Sequence, residues 1–159
     1  MFRIVFNTPE IPGNTGNAIR LAAVTGAQLH LVEPLGFDLE DSKLRRAGLD
    51  YHDLTHVTVH ANLDACFEAL GEGRVFAFEP DGTTAHTDVE YLPSDILLFG
   101  KESTGLTPQE RAHPRVTELV YLPMRPSVRS LNLANSASIA LYEAWRQHDF
   151  AGASHPAGI

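Results

Sequence analysis

The chain has 159 residues, with 12 basic and 20 acidic side chains, a formal net charge of −8, 43% apolar residues and one cysteine. That length suits one domain, and ordinary apolar and charged fractions exclude wholesale disorder. One cysteine excludes an internal disulfide and fits a reducing cytoplasm; the apolar start Met1–Phe6 is too short for a signal peptide, and no run approaches a membrane span.

Arg3-Ile4-Val5-Phe6 reads as a buried strand, broken by Pro9, Pro12 and Gly13. Asn14 is placed to cap a helix whose apolar face is Ile19, Ala22 and Ala23, and Gly26 to end it. Leu29–Val32 is the next strand, closed by Pro34 and Gly36. Asp41–Ala47 reads as a short basic helix, Val57–Val59 as a strand, and Leu63, Cys66, Phe67 and Leu70 as one face of an amphipathic helix stopped at Gly71. Val75–Phe78, Ile96–Phe99 and Leu119–Leu122 are continuous apolar runs, as expected of strands buried on both faces. The last helix is expected from Asn132 to Gln147, with Leu133, Ala137, Ala140, Leu141 and Ala144 facing inward. Strands alternating with helices imply an α/β domain with a mostly parallel sheet flanked by helices. The domain is expected over residues 1–150, with a frayed, Gly/Ala/Pro/Ser-rich tail over 151–159.

At face value, −8 speaks against a phosphate-rich partner. The charge is unevenly distributed: −2 over residues 1–60, −7 over 61–100 and +1 over 101–159. The acidity is therefore concentrated in one middle segment.

In open parallel sheets, ligands bind beyond the C-terminal strand ends. Three polar loops follow apolar strands here. Asn7–Arg20 brings two Asn, Gly and Arg20 to a helix start, where backbone amides favour an anion and the Arg20 fork suits a phosphate. A capped turn with a solvated Arg20 is an equally good reading. Gly100–Leu106 sets Glu102 between glycines that allow close approach or positive φ; Glu102 either meets a ribose hydroxyl, orients Arg20, or is an exposed turn carboxylate. Pro123–Asn135 crowds Arg125, Arg129, Ser130, Asn132 and Asn135 at a proline-stiffened turn. Helix capping explains one of them but not the set. With no Cys, His or Lys nucleophile among them, the chemistry suggested is binding and orientation. His52, His56 and His60 would align for a metal on a helix, but Val57-Thr58-Val59 breaks one, so no metal is expected. Cys66 reads as inert core.

The three loops resemble, in order, the motifs of the SPOUT superfamily of RNA 2′-O-methyltransferases: Asn14-Thr15-Gly16-Asn17-Ala18-Ile19-Arg20, Gly100–Leu106, and Arg129-Ser130-Leu131-Asn132-Leu133-Ala134-Asn135. Pro9–Pro12, Leu44–His52 and Tyr142–Gln147 are similar to the bacterial tRNA (cytidine/uridine-34)-2′-O-methyltransferase group, and the likeness spans nearly all of residues 1–150. It implies a C-terminal trefoil knot, a homodimer without membrane attachment, a tRNA substrate and S-adenosyl-methionine as cofactor. The implied cofactor positions are Phe78, Gly100, Leu122, Ser130 and Leu131, with Asn132, Asn135 and Tyr142 as candidates for cofactor or ribose contacts. The implied catalytic set is Arg20, with Glu102 and Asn14 positioning it; Arg20, Arg45, Arg46, Arg125, Arg129 and Tyr142 would face the RNA. Ala134 stands where relatives often carry Ser. The alternatives are a ribosomal-RNA ribose methyltransferase and a non-catalytic RNA-binding module of the same fold.

Overall fold

A computed structural model describes residues 1–40 and 53–154. The expected basic helix Asp41–Ala47, with Arg45 and Arg46, and the last residues of the tail lie outside the described residues.

Seven strands form one sheet: β1 (Arg3–Asn7), β2 (Gln28–Val32), β3 (Val57–His60), β4 (Val75–Phe78), β5 (Thr84–Ala85), β6 (Ile96–Phe99) and β7 (Val116–Tyr121), in the order β3-β2-β1-β6-β4-β7-β5. Every pairing is parallel. The helices among the described residues are α1 (Pro12–Thr25), α2 (Leu63–Leu70), α3 (Pro108–Arg111) and α4 (Leu133–Arg146). Parallel strands need crossovers, which cover both faces and explain the unbroken apolar runs of β4 and β6. One face of the sheet, with Ile4, Phe6, Leu29, Leu31, Phe76 and Leu97, packs on Ile19 and Ala22 of α1 and Ala137 and Leu141 of α4. The other, with Val5, Val32, Val75, Ala77, Ile96 and Leu98, packs on Cys66 and Phe67 of α2.

The start of α1 corrects one expectation. Pro12 opens the helix, Ile11 is its N-cap residue, and Asn14 lies inside the first turn rather than capping it. Proline at the first helical position needs no amide partner and sets φ in advance, so the helix begins three residues early. Gly26 ends it at φ 74°, and Asn62 caps α2 by accepting from the Ala65 amide at 2.8 Å. The two-residue strand β5 and the short α3, closed by a Thr107–Glu110 capping box, were not foreseen. His56 closes a 3-10 turn (Asp53–His56) and His60 ends β3, so they do not share a helix face.

Two arginines bracket the far end of the sheet. Arg3 donates to the carbonyls of Leu70, Glu72 and Ser94, and Arg115 to those of Phe67 and Gly71. Cations at the C-terminal end of α2 meet its unsatisfied carbonyls and its dipole. Asp95, fully buried, is held by the Arg74 guanidinium at 2.6 and 3.0 Å. Part of the middle segment's acidity is thus internal, while Asp64, Glu68 and Glu72 are exposed on or beside α2, on the face opposite α1 and α4.

Candidate functional site

The three polar loops converge beyond the C-terminal ends of β1, β4, β6 and β7, around a cleft of about 400 Å³. Ile11 and Asn14 come from the first loop, Gly100–Gly105 from the second, and Leu122, Met124 and Ser130–Leu133 from the third. Phe78 stacks on Phe99 with centroids 4.8 Å apart and makes an apolar wall. That size and mix of apolar walls with a few polar groups suit a small-molecule site.

A hydrogen-bonded chain ties the loops together. The Glu102 carboxylate accepts from the backbone amides of Glu10 (2.7 Å) and Ile11 (3.1 Å) and from Asn14 Nδ2 (2.9 Å). Asn14 Oδ1 accepts from Asn132 Nδ2 at 2.7 Å, and Asn132 Oδ1 caps α4 by accepting from the Asn135 amide at 3.2 Å. In return, Glu10 accepts from the Ser103 amide and hydroxyl, which hold its carboxyl below the usual range. The anion expected at the start of α1 is therefore the protein's own Glu102, set where the helix amides and dipole favour negative charge.

Loop 100–106 is folded tightly on itself. Gly105 lies at φ 69°, and a Cβ on Gly100 would come within 2.3 Å of the Gly105 carbonyl carbon and the Leu106 nitrogen. The close approach foreseen for Gly100 is to its own loop backbone. Beneath the loop, Glu79 is 7% exposed and accepts from the Leu106 amide at 2.7 Å. Burial pushes the Glu79 carboxyl above the usual carboxylate range, against the lowering effect of the Leu106 bond. Glu79 lines the cleft and was missed from sequence; its signal was an acid ending the apolar run Val75–Phe78.

Phe78, Gly100, Leu122, Ser130, Leu131 and Asn132 all line the cleft. Asn135 does not; its contribution is the amide that Asn132 caps. Arg20 is outside the lining, one helix face along α1 from Asn14. Its guanidinium reaches Asp53 at 3.3 Å and is 46% exposed, while Asp53 is 8% exposed. Nothing in the sequence had singled out Asp53. Arg125 and Arg129 are exposed on the third loop. Tyr142 lies nine residues past Leu133, about 13 Å along α4, packed edge-on against Trp145.

Comparison with known proteins decides the family. The description "SpoU rRNA Methylase family" matches residues 1–142. The chain belongs to the SpoU rRNA methylase family. Similar relatives include the tRNA (cytidine(34)-2'-O)-methyltransferases of Methylovorus glucosotrophus, 54% identical over 96% of this chain and 99% of the relative, and of Escherichia coli K12, 48% identical over 96% and 98%. Among solved structures, one described as "Structural insights into the 2-OH methylation of C/U34 on tRNA" superposes with a TM-score of 0.87 at 43% identity, covering 94% of this chain and 97% of that one. The SpoU methyltransferase AviRb of Streptomyces viridochromogenes, in complex with AdoMet, gives a TM-score of 0.77 at 28% identity, over 92% and 57%. The parallel seven-stranded sheet flanked by helices is the SpoU architecture. No described helix is long and apolar enough to cross a membrane.

Proposed function

We infer that the protein is a tRNA (cytidine(34)-2′-O)-methyltransferase, transferring a methyl group from S-adenosyl-methionine to the ribose 2′-hydroxyl of the wobble nucleotide, cytidine or modified uridine. The observation that carries this reading is the convergence of all three motif loops on one cleft, bound together through Glu102, Asn14 and Asn132. Near-full-length identity of about 50% to enzymes of that name supports the substrate.

The cleft fits the cofactor. Phe78, Phe99, Leu122, Leu131 and Leu133 offer apolar walls to an adenine, the loop backbone at Gly100, Ser130 and Leu131 offers polar edges, and the Glu79 carboxyl suits a cationic ligand. The bound cofactor supplies an electrophilic methyl group on a sulfonium. The chain must bring a ribose hydroxyl in line and help it lose its proton. Arg20 is the residue for this. A guanidinium stays protonated and is a poor base, so it orients the RNA phosphate and hydroxyl and stabilises the developing alkoxide. The Asp53 carboxylate, 3.3 Å from the guanidinium, helps fix its direction at the surface where RNA would dock. Glu102 and Asn14 act on Arg20 through the backbone, fixing the first turns of its helix.

The same reading carries the trefoil knot, the homodimer, the single domain over 1–150 and the cytoplasmic setting. Support for the knot is that β7 lies beside β4 while the chain after it returns to α4, packed on α1 and β6. For the dimer it is the exposed apolar pair Ile139 and Tyr142, one turn apart on α4. Arg45, Arg46, Arg125 and Arg129 complete the proposed RNA contact, with a salt-sensitive affinity.

Incubation with labelled S-adenosyl-methionine and total RNA, followed by mapping, tests the whole. Label at the ribose of tRNA position 34 is expected. Label only in rRNA would support the rRNA ribose methyltransferase, and none the binding module. Arg20→Ala should lose transfer by at least about 100-fold, a general acid–base scale, yet bind cofactor normally.

A further inference from the structure

On the sheet face remote from the cleft, three metal-ligating side chains meet. His30 of β2 and His60 of β3 point to the α2 side, in step with Val5 and Val32, and Cys66 reaches down from α2. His30 Nδ1 and His60 Nε2 are 2.9 Å apart, and the rings stack at 5.2 Å. One ligand atom from each of the two imidazoles and the thiol lie within 4.8 Å of one another. Their exposures are 7%, 9% and 0%. The second His30 nitrogen, Nε2, is buried without a hydrogen-bond partner among the described residues.

We propose that His30, His60 and Cys66 form a binding site for a thiophilic cation, zinc(II) in the first instance, independent of methyl transfer. The donor set is two imidazoles and a thiolate, which soft and borderline cations select over magnesium or calcium. Tetrahedral zinc places two nitrogen ligands about 3.3 Å apart, and nitrogen and sulfur about 3.6 Å apart. The imidazole pair therefore has to part by a few tenths of an ångström, and the thiol to close in. The donors come from two paired strands and the helix packed on them, so the site is largely preformed. Burial and the neighbouring ring keep His30 neutral, near a pKa of about 4, which is its ligand form. Burial pushes the Cys66 thiol up to about 12. Binding releases that proton to solvent as the sulfur–metal bond forms. A water would complete the tetrahedron as fourth ligand. The ion would join β2, β3 and α2, and so stiffen the edge strand that follows Asp53.

Cobalt(II) is the probe. The chain has one cysteine, so any thiolate-to-cobalt charge-transfer band reports Cys66. Titration of the reduced full-length protein should give that band, saturating at one equivalent and bleached by zinc(II). Zinc(II) should raise the melting temperature of the wild type and not of Cys66→Ala, and His60→Ala should weaken cobalt binding at least tenfold. Cobalt bound with no charge-transfer band, or equal zinc stabilisation of wild type and Cys66→Ala, would place the ion on surface histidines and overturn the proposal. If Cys66→Ala fails to fold, the wild-type spectrum alone decides.

Discussion

Glu102 is a test of how the cleft is held together. Its carboxylate accepts from two backbone amides and Asn14 at 2.7–3.1 Å, and all three donors belong to the first loop. Glu102→Ala removes all three acceptor contacts. Each is charge-assisted, but the Ile11 amide is exposed and water can replace part of the loss. At about 1 kcal/mol per contact, the low side of the usual range, the variant should lose about 3 kcal/mol. For a chain of this size that is about 6–12 °C in melting temperature. Glu102→Gln keeps one acceptor oxygen and gives up the negative charge at the start of α1, so its cost should be about 1–2 kcal/mol. Urea denaturation with an unchanged m value, alongside cofactor binding and methyl transfer, reads the effect. An alanine variant melting within about 1 °C of wild type, on a scale of 2–4 °C per kcal/mol, yet devoid of methyl transfer, would refute a tying role and return Glu102 to direct action on Arg20 or the substrate.

Further expectations follow from the same geometry. Gly100→Ala drives a Cβ into backbone at 2.3 Å, so loop 100–106 must shift; a cost of about 1–3 kcal/mol and loss of cofactor binding in calorimetry are expected. Glu79→Gln keeps an acceptor for the Leu106 amide and removes the charge: the free protein should be as stable or up to about 1 kcal/mol more stable near neutral pH, while cofactor affinity falls. The sign follows from the raised Glu79 carboxyl, whose stabilising contribution is full at acid pH and lost as the pH rises through its folded value; equal cofactor affinity in both proteins would remove Glu79 from the site. His30 and His60 are both held below the ordinary imidazole value by burial, so stability should be full above pH 6.5 and fall as the pH drops towards about 4. A urea series across that range in the His30→Gln variant should lose most of that slope.

The alternation of strands with helices was legible because β1, β4 and β6 hold apolar runs and turn residues punctuate the chain between elements. β5 has only Thr84 and Ala85, too short for any periodic signal, and β7 starts with the half-polar Val116-Thr117-Glu118. The cleft was legible as three loops because glycine and asparagine mark turns at fixed places after strands. The partners were not. Glu102 meets residues 88–92 positions away, Asn14 meets Asn132 across 118, and Arg20 meets Asp53 across 33. Such pairings are set by strand order, which hydrophobic pattern does not encode. The same holds for His30, His60 and Cys66: the spacing of His52, His56 and His60 carried no site, and the register of β2 on β3 is what sets His30 beside His60.

The Arg3 bracket also bears on synthesis. β1 sits in the middle of the sheet, but its neighbour β6 and the carbonyls that receive the Arg3 guanidinium lie 67–93 residues later in the chain. At ribosomal rates of about 5–20 residues per second, the first strand waits several seconds for them. Until then only β2 and β3 can pair on one side of it, and the apolar edge of β1 faces whatever the nascent chain meets. A chain stalled before Ile96 should therefore be sensitive to proteases and a target for chaperones.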